Sequence, residues 1–276
     1  MKKMGLALAG GGARGAYQIG AWKALKEHGY DQLFDAYAGA SVGSLNAMLF
    51  AMGDYELAED LWMSLDKDTL FSFEDNVFKR ILNEKLRFLN KGVYETDRLE
   101  KMIEETMDFS LLQDKEVYIA ATKVGGHEGG FFDLLSTNFE HYIKKSSQID
   151  YKNIQEMKEE DVKNALLASC AIPVVFHPVV VDGQTYYDGG LLNNIPYQPL
   201  IDAGCEKILA IDLFKFSFSR KKGGDVEILT LHPKKSLRGV LDFKQKHVHR
   251  RFEFGYKEMQ AFIEEHKEFF EEKKHL

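Results

Sequence analysis

The residues with the clearest chemistry lie in the run Gly39-Ala40-Ser41-Val42-Gly43, where a serine stands between two glycines. The apolar residues before it predict a short buried strand, and residues 44–50 after it have the composition of a packed helix. A serine at a sharp strand-to-helix turn is typical of a nucleophile elbow, because the glycines permit the turn and the hydroxyl stands exposed above the sheet. Ser41 is therefore a candidate nucleophile, although a tight turn of small residues would give the same pattern.

A second glycine-rich turn, Gly10-Gly11-Gly12-Ala13-Arg14-Gly15, follows a predicted strand at 4–9 and precedes a predicted helix at 16–28. It formally matches the GxGxxG of dinucleotide-binding proteins, but those proteins place an acidic residue after their second strand, where this chain has the Ser41 turn. We favour an oxyanion hole, whose N–H groups would meet the negative charge that acyl transfer places on a carbonyl oxygen. Arg14 is expected to anchor this loop, and a contact with a substrate phosphate is the alternative.

A third turn, Asp188-Gly189-Gly190, follows a predicted strand and could supply the base that a serine needs. An acid before two glycines can point into a cleft, and Asp-Gly is also an ordinary turn. The usual partner of a catalytic serine is a histidine, and among the histidines after Asp188 only His232 lies at a predicted strand end. Asp188 as a direct base and a triad through His232 are thus two alternatives. The direct base requires burial that raises the pKa of Asp188 above about 3.9.

The elements that must position these turns alternate between short apolar strands and amphipathic helices. Further strands are predicted at 116–124, 130–137, 179–181, 207–213 and 226–231, with a hairpin turn at 125–129. Further helices are predicted at 54–65, after Thr96, at 161–171 and beyond about Val248. Because no repeat or linker interrupts the pattern, we expect a single domain over residues 1–276, in which 225–276 supply a C-terminal strand and a long amphipathic helix.

Two segments, residues 70–92 and 214–222, combine apolar with basic side chains. The simpler interpretation is a helix packed on the core for the first and a strand end with a solvated loop for the second. A lid over the active site or a contact with a membrane interface is the alternative for both.

Composition limits the classes of partner and compartment. The 276 residues carry a formal net charge of −7, which argues against nucleic acid because a phosphate-binding face needs an excess of Lys and Arg. Cys170 and Cys205 are too few for a disulfide framework, and no stretch is long enough to span a bilayer. We expect a cytoplasmic protein, with transient contact to a membrane surface left open and the oligomeric state undetermined.

Taken in chain order, the three turns resemble the motifs of the patatin-like phospholipase family, and small bacterial members are the most similar. Ala168-Ser169-Cys170-Ala171-Ile172-Pro173 also looks like the ASxAxP stretch of that family, so the likeness covers residues 4–213. The resemblance implies a three-layer α/β/α fold with a mostly parallel central sheet. It also implies the residue roles: nucleophile Ser41, base Asp188, oxyanion loop Gly10, Gly11, Gly12, Arg14 and Gly15, elbow glycines Gly39 and Gly43, and motif glycines Gly189 and Gly190.

The function implied by this resemblance is a lipid acyl hydrolase, that is, a phospholipase, lysophospholipase or esterase, working through an acyl-enzyme on a Ser-Asp dyad. Its substrate would be a lipid or a small ester, and neither metal nor cofactor is required. The N–H groups of Gly11, Gly12 and the residue after Ser41 would hold the oxyanion. A catalytically idle lipid-binding or regulatory protein stays open as the main alternative.

Overall fold

The computed structural model describes residues 2–65, 97–124, 147–171, 179–181, 183–215 and 225–271. Its strands are β1 (Met4–Leu8), β2 (Ala36–Ala40), β3 (Glu116–Val124), β4 (Ser147–Asn153), β5 (Val179–Val181), β6 (Gln184–Asp188), β7 (Lys207–Ile211) and β8 (Glu227–Leu231). Its helices are α1 (Ala16–Glu27), α2 (Val42–Met52), α3 (Tyr55–Ser64), α4 (Asp97–Thr106), α5 (Glu159–Ser169), α6 (Gln198–Asp202), α7 (Gln245–Glu265) and α8 (Lys267–Glu271). Strands and helices alternate along most of the chain, as in α/β proteins.

The strands form one mixed sheet whose centre is parallel. The pairs β1–β2, β2–β3, β1–β7 and β7–β8 are parallel, whereas β4, β5 and β6 join by antiparallel pairing. Strands β1, β2 and β7 are buried along their whole length, because central strands of such a sheet have helices on both faces. The predicted α/β fold with a mostly parallel central sheet is confirmed.

Strand β3 is the longest strand of the described chain and is shared by three neighbours. On one edge it pairs with β4. On the other edge its first half pairs with β2, from Glu116 to Ala120, and its second half pairs with β6, from Ala121 to Val124. The carboxyl ends of β2 and β6 therefore meet beside the middle of β3.

Helix α7 packs along α1 through two glycines. A Cβ atom on Gly20 would overlap the carbonyl group of Phe252, and one on Gly255 would overlap that of Tyr17. The two backbones thus approach more closely than side chains would allow, and the apolar face of α7 is buried. Among the described residues, none of the helices combines the length and the hydropathy that crossing a bilayer requires.

We predict that Gly255→Ala lowers the free energy of unfolding by about 2 kcal/mol, because the added methyl group must push apart two packed backbones. Gly239→Ala is the matched control, since a Cβ atom there meets nothing closer than 3.5 Å. Urea denaturation of both variants measures the difference. Equal stability of the two variants would contradict the close packing of α7 on α1.

Strand β4 and helix α6 were not predicted from the sequence. Five of the seven residues of strand β4 are polar or charged and the strand is only partly buried, so it lacks the apolar signal of the central strands. Helix α6 has five residues, too few to show a helical period. The predicted segments at 70–92, 125–137 and 216–222 lie outside the described residues.

Candidate active site

Ser41 occupies the turn between β2 and α2 with a backbone conformation that non-glycine residues rarely adopt, φ 53° and ψ −131°. The flanking glycines are required by close packing. A Cβ atom on Gly39 would overlap the carbonyl of Gly43, and one on Gly43 would overlap that of Leu8. This is the strand, sharp turn and helix that the sequence predicted, and strain of this kind is characteristic of functional turns.

Hydrogen bonds hold the Ser41 backbone in this conformation. The N–H of Ser41 donates to Oγ of Ser169 at 2.9 Å, and that hydroxyl donates to the carbonyl of Ala120 in β3 at 2.6 Å. On the other side, the Ser44 hydroxyl donates to the carbonyl of Ser41 at 2.6 Å. All three serines are buried, so these bonds offset the cost of the strained turn without competition from water.

Asp188 comes next to Ser41 because of the register of β3. Ala40, the last residue of β2, pairs with Ala120, and Asp188, the last residue of β6, pairs with Ala121. The ends of the two strands therefore lie opposite consecutive residues of β3. The Ser41 hydroxyl lies close enough to the Asp188 carboxylate to lower its pKa by hydrogen bonding. Two residues far apart in sequence are thus brought side by side.

The carboxylate of Asp188 is almost completely buried, with 7% of the residue exposed. Burial raises the pKa of Asp188 to about 6, and hydrogen bonds from the Ser41 hydroxyl and the Gly190 N–H offset part of the rise. The Gly190 N–H donates to Oδ1 at 2.7 Å. Gly189 has no room for a side chain, since a Cβ atom would overlap the carbonyl of Ala120. A buried carboxylate with a raised pKa is a better proton acceptor than one in water.

The glycine loop 10–15 lies at the end of β1, beside the Ser41 turn. The N–H of Gly10 donates to the carbonyl of Asn194, and the Asn194 side chain donates back to the carbonyl of Gly10, both at 3.2 Å. Within the described residues, no hydrogen bond uses the N–H of Gly11 or Gly12. Gly12 has a positive φ of 54°, and a Cβ atom there would overlap the carbonyl of Val240. Gly11 and Gly12 thus have N–H groups available for a ligand, whereas that of Gly10 is occupied.

Arg14 connects the glycine loop to two distant segments of the chain through hydrogen bonds. Its Nε donates to the carbonyl of Arg238 at 2.7 Å and its Nη1 to that of Leu213 at 3.4 Å. The guanidinium also lies 4.4 Å from the ring centre of Phe214. These contacts agree with the anchoring role preferred in the sequence analysis.

An apolar pocket opens at Ser41 and encloses about 750 Å³, including the part that is open to solvent. Apart from Ser41, Asn46 and Thr106, its lining consists of apolar or sulfur-containing side chains and one glycine: Gly12, Val42, Leu45, Leu49, Leu61, Trp62, Leu65, Leu99, Met102, Met107, Cys170, Leu241 and Phe243. The Asn46 amide is satisfied by Gln18 and by Trp62 Nε1, at 2.7 and 2.9 Å. Burial raises the pKa of the Cys170 thiol, which keeps it neutral. The pocket therefore suits a hydrocarbon chain.

The triad alternative through His232 is wrong. Nδ1 of His232 lies 3.0 Å from Oδ2 of Asp212, not next to Asp188. His232 follows β8, and β1 and β7 lie between β8 and β2 in the sheet. With strands about 4.8 Å apart, this places the His232 backbone roughly 14 Å from that of Ser41. The sequence correctly predicted that His232 follows a strand of the sheet. It could not show that this strand, β8, lies three positions away from β2.

Sequence reasoning missed two residues that position the site, Ser169 and Asn194. Ser169 bridges the Ser41 turn and β3. Ser169 lies within the Ala168–Pro173 motif, which was the only indication in the sequence that this residue matters for the site. The motif does not show which backbone groups the Ser169 hydroxyl contacts. Asn194 pins Gly10 through two hydrogen bonds. It follows the Asp188 turn by a few residues and carries no signal of its own.

We predict that Ser169→Ala lowers kcat for the ester hydrolysis expected from the sequence about tenfold to a hundredfold and the free energy of unfolding by about 2 kcal/mol. The reason is that the Ser41 N–H and the Ala120 carbonyl would both lose a buried partner. Ser64→Ala is the matched control, because Ser64 also ends a helix but its hydroxyl is exposed. Wild-type kcat in Ser169→Ala would contradict a positioning role.

Comparison with known proteins identifies the family. The model of the patatin-like phospholipase family matches residues 6–201. The lysophospholipase NTE1 of Cryptococcus neoformans is 25% identical over 219 residues, which are 77% of this chain and 11% of that protein. An uncharacterised NTE family protein of Mycobacterium tuberculosis is 27% identical over 214 residues, which are 76% of this chain and 49% of that protein. The chain thus spans half or less of the length of these relatives.

Solved structures show the same fold at low identity. VipD from Legionella pneumophila superposes with a TM-score of 0.53 at 14% identity, over 96% of this chain and 67% of that one. Human GIVD cytosolic phospholipase A2 superposes with a TM-score of 0.54 at 11% identity, over 99% and 60% of the two chains. With the family model matching most of the chain, including all three turns of the site, this protein belongs to the patatin-like phospholipase family.

Proposed function

We propose that this protein is a serine-dependent lipid acyl hydrolase that cleaves carboxylic esters through an acyl-enzyme, with Ser41 as nucleophile and Asp188 as base. The observation that carries the proposal is the Ser41 hydroxyl beside the buried carboxylate of Asp188 at the opening of an apolar pocket. Membership of the family and the name lysophospholipase of one relative support a lipid ester as the substrate class.

In the first step, Asp188 takes the proton of Ser41 while Oγ attacks the ester carbonyl carbon. Negative charge then develops on the carbonyl oxygen. We infer that the N–H groups of Gly11, Gly12 and Val42 bind it. In support, those of Gly11 and Gly12 have no hydrogen-bond partner in the described chain, and Val42 begins helix α2. Collapse of the intermediate breaks the bond to the alcohol, which leaves with the proton from Asp188.

In the second step, water replaces the alcohol. Asp188 accepts a proton from the water as its oxygen attacks the acyl-Ser41 carbonyl, and the same N–H groups bind the second oxyanion. Release of Oγ, which recovers the proton, frees the fatty acid. The apolar pocket would hold the hydrocarbon chain of the acyl group during both steps, so long-chain esters are expected to have a lower KM than short ones.

Product analysis in ¹⁸O-labelled water tests this function. The wild-type protein is incubated with a phospholipid, a lysophospholipid and a monoacylglycerol, and the products are analysed by mass spectrometry. We expect free fatty acid with one ¹⁸O in the carboxyl group, because water attacks the acyl carbon. Absence of fatty acid release, with lipid still bound, would instead support the idle lipid-binding alternative.

The pKa of Asp188 predicts the pH dependence. Since burial raises it to about 6 and only the ionised carboxylate can accept the Ser41 proton, kcat/KM should fall about tenfold per pH unit below that value. Rates on a soluble p-nitrophenyl ester between about pH 4.5 and pH 8 measure the profile. A rate that stays level down to pH 4.5 would contradict Asp188 as the base.

A further inference from the structure

The segment from His232 to Arg251 has a charge opposite to that of the whole chain. It contains seven Lys and Arg residues against one acid, Asp242, in a chain of formal charge −7. Six of these cations are exposed and are called the basic rim here: Lys234, Lys235, Arg238, Lys244, Lys246 and Arg250. The rest of the chain is therefore more negative than the total suggests.

The charge of the basic rim is not neutralised by the part of the chain that the structure describes. None of its six cations lies in an ion pair with a described carboxylate. Asp242, the one acid within the segment, is engaged by His247 at 2.6 Å and by the buried Arg251 at 3.7 Å. Glu258 accepts hydrogen bonds from the Lys234 N–H and the Tyr17 hydroxyl, at 3.1 and 2.8 Å. Lys235 and Arg250 lie 5.9 and 5.1 Å from the ring centre of Phe254, and both residues are exposed.

The basic rim borders the opening of the Ser41 pocket. Leu241 and Phe243, from the same segment, line that pocket. The carbonyl of Val240 accepts a hydrogen bond from the N–H of Ala13 at 2.7 Å, and Arg14 donates to the carbonyl of Arg238. The segment is thus bonded directly to the glycine loop.

The buried side chain of Arg251 holds the segment from His232 to Arg251 together through hydrogen bonds. Its guanidinium donates to the carbonyls of Leu237, Gly239 and Asp242 at 2.8, 3.0 and 2.6 Å. Three carbonyls around one guanidinium lie within a few ångströms of one another, so residues 237–242, with the exposed Arg238 among them and Lys244 close behind, form a compact area beside the pocket. This area keeps its shape because Arg251 itself is buried.

An anionic lipid surface fits this arrangement better than a nucleic acid. Phe214, one of the exposed large apolar residues, lies against Arg14 at the same edge, and an aromatic ring beside cations suits the interface of a bilayer. Because the chain outside the 232–251 segment carries a net negative charge, an anionic surface is expected to attract the protein at the basic rim. The electrostatic attraction between the basic rim and the anionic lipids therefore orients the protein with the Ser41 pocket facing the lipid.

We propose that the basic rim is a docking surface for the anionic interface of a lipid bilayer, which brings the Ser41 pocket to its substrate. The reason for docking, delivery of substrate to Ser41, rests on the proposed function. Binding to the bilayer can nevertheless be measured without catalysis. Each Lys or Arg near an anionic surface raises partitioning about fivefold, so three substitutions should lower it roughly a hundredfold.

Vesicle co-sedimentation with the Ser41→Ala protein, which cannot change the lipid, measures this partitioning. The test variant adds Lys234→Gln, Lys244→Gln and Lys246→Gln. The matched control adds Lys115→Gln, Lys158→Gln and Lys257→Gln, which alter the net charge equally at exposed positions outside the basic rim. The probes are vesicles of phosphatidylcholine alone and vesicles in which a third of the lipid is phosphatidylserine.

We expect tight binding only to the phosphatidylserine vesicles, a loss of about a hundredfold in the test variant, and less than a threefold loss in the control. High salt should abolish the difference. Equal losses in both variants, equal binding to both vesicles, or binding to a DNA duplex without binding to vesicles would overturn the proposal. Failure of the proposed function would appear separately, as hydrolysis of a soluble ester that survives Ser41→Ala.

Discussion

Replacing Ser41 by alanine is expected to lower kcat/KM for a soluble p-nitrophenyl ester by about 10⁴-fold or more. The hydroxyl of Ser41 lies beside the buried Asp188 carboxylate, and no acyl-enzyme can form without it. Hydrolysis is followed by absorbance, and circular dichroism checks that the variant folds. His232→Ala is the control, because His232 contacts Asp212 and should keep its rate within about threefold.

A comparison of Ser41→Gly with Ser41→Ala separates loss of the hydroxyl from loss of the fold. Both remove the hydroxyl, but at φ 53° and ψ −131° glycine relieves strain that alanine keeps. The glycine variant should therefore be more stable by about 1 kcal/mol, the reverse of the usual order of these two residues. Hydrolysis at near wild-type rates in either variant would show that Ser41 is not the nucleophile.

Replacing Asp188 by asparagine is expected to lower kcat/KM by roughly 10³- to 10⁴-fold, because the amide matches the carboxylate in shape but cannot accept the Ser41 proton. The Asn side chain can still accept the hydrogen bond from the Gly190 N–H, so the turn should be kept. Asp54→Asn is the control, since Asp54 caps helix α3 and asparagine caps equally well.

The same substitution should stabilise the protein at neutral pH. The folded pKa of Asp188 is about 6, above the ordinary value of 3.8, so folding favours the protonated acid. The contribution of protonated Asp188 to the free energy of unfolding is therefore present at low pH and is lost as the pH rises through about 6. The Asn variant has no such loss and should be more stable at pH 7 by on the order of 2 kcal/mol. A less stable Asn variant with normal activity would contradict both the role and the environment assigned to Asp188.

The local turns could be predicted from sequence because their chemistry is contained in a few consecutive residues. Ser41 between Gly39 and Gly43 needed only a preceding strand and a following helix, and β2 and α2 provide them. The order of the three glycine turns along the chain indicated the family, and the family in turn predicted the fold class and the residues of the site.

Contacts between distant segments could not be predicted in this way. The meeting of Ser41 and Asp188 depends on β2 and β6 pairing with adjacent residues of β3, and register of this kind has no local signal. The bond from the Ser41 N–H to Ser169 follows from that same assembly. The pocket wall at Leu241 and Phe243 lies beyond the matched motifs, in a loop whose position is set by the buried Arg251.

The most direct test of the account is to locate the residue that a fluorophosphonate probe modifies, by peptide mass spectrometry of the wild-type and Asp188→Asn proteins. We expect a single adduct on Ser41 in the wild type, formed at a rate that falls steeply in Asp188→Asn. An adduct on another residue, or labelling of Ser41 at the same rate in both proteins, would contradict a serine activated by Asp188.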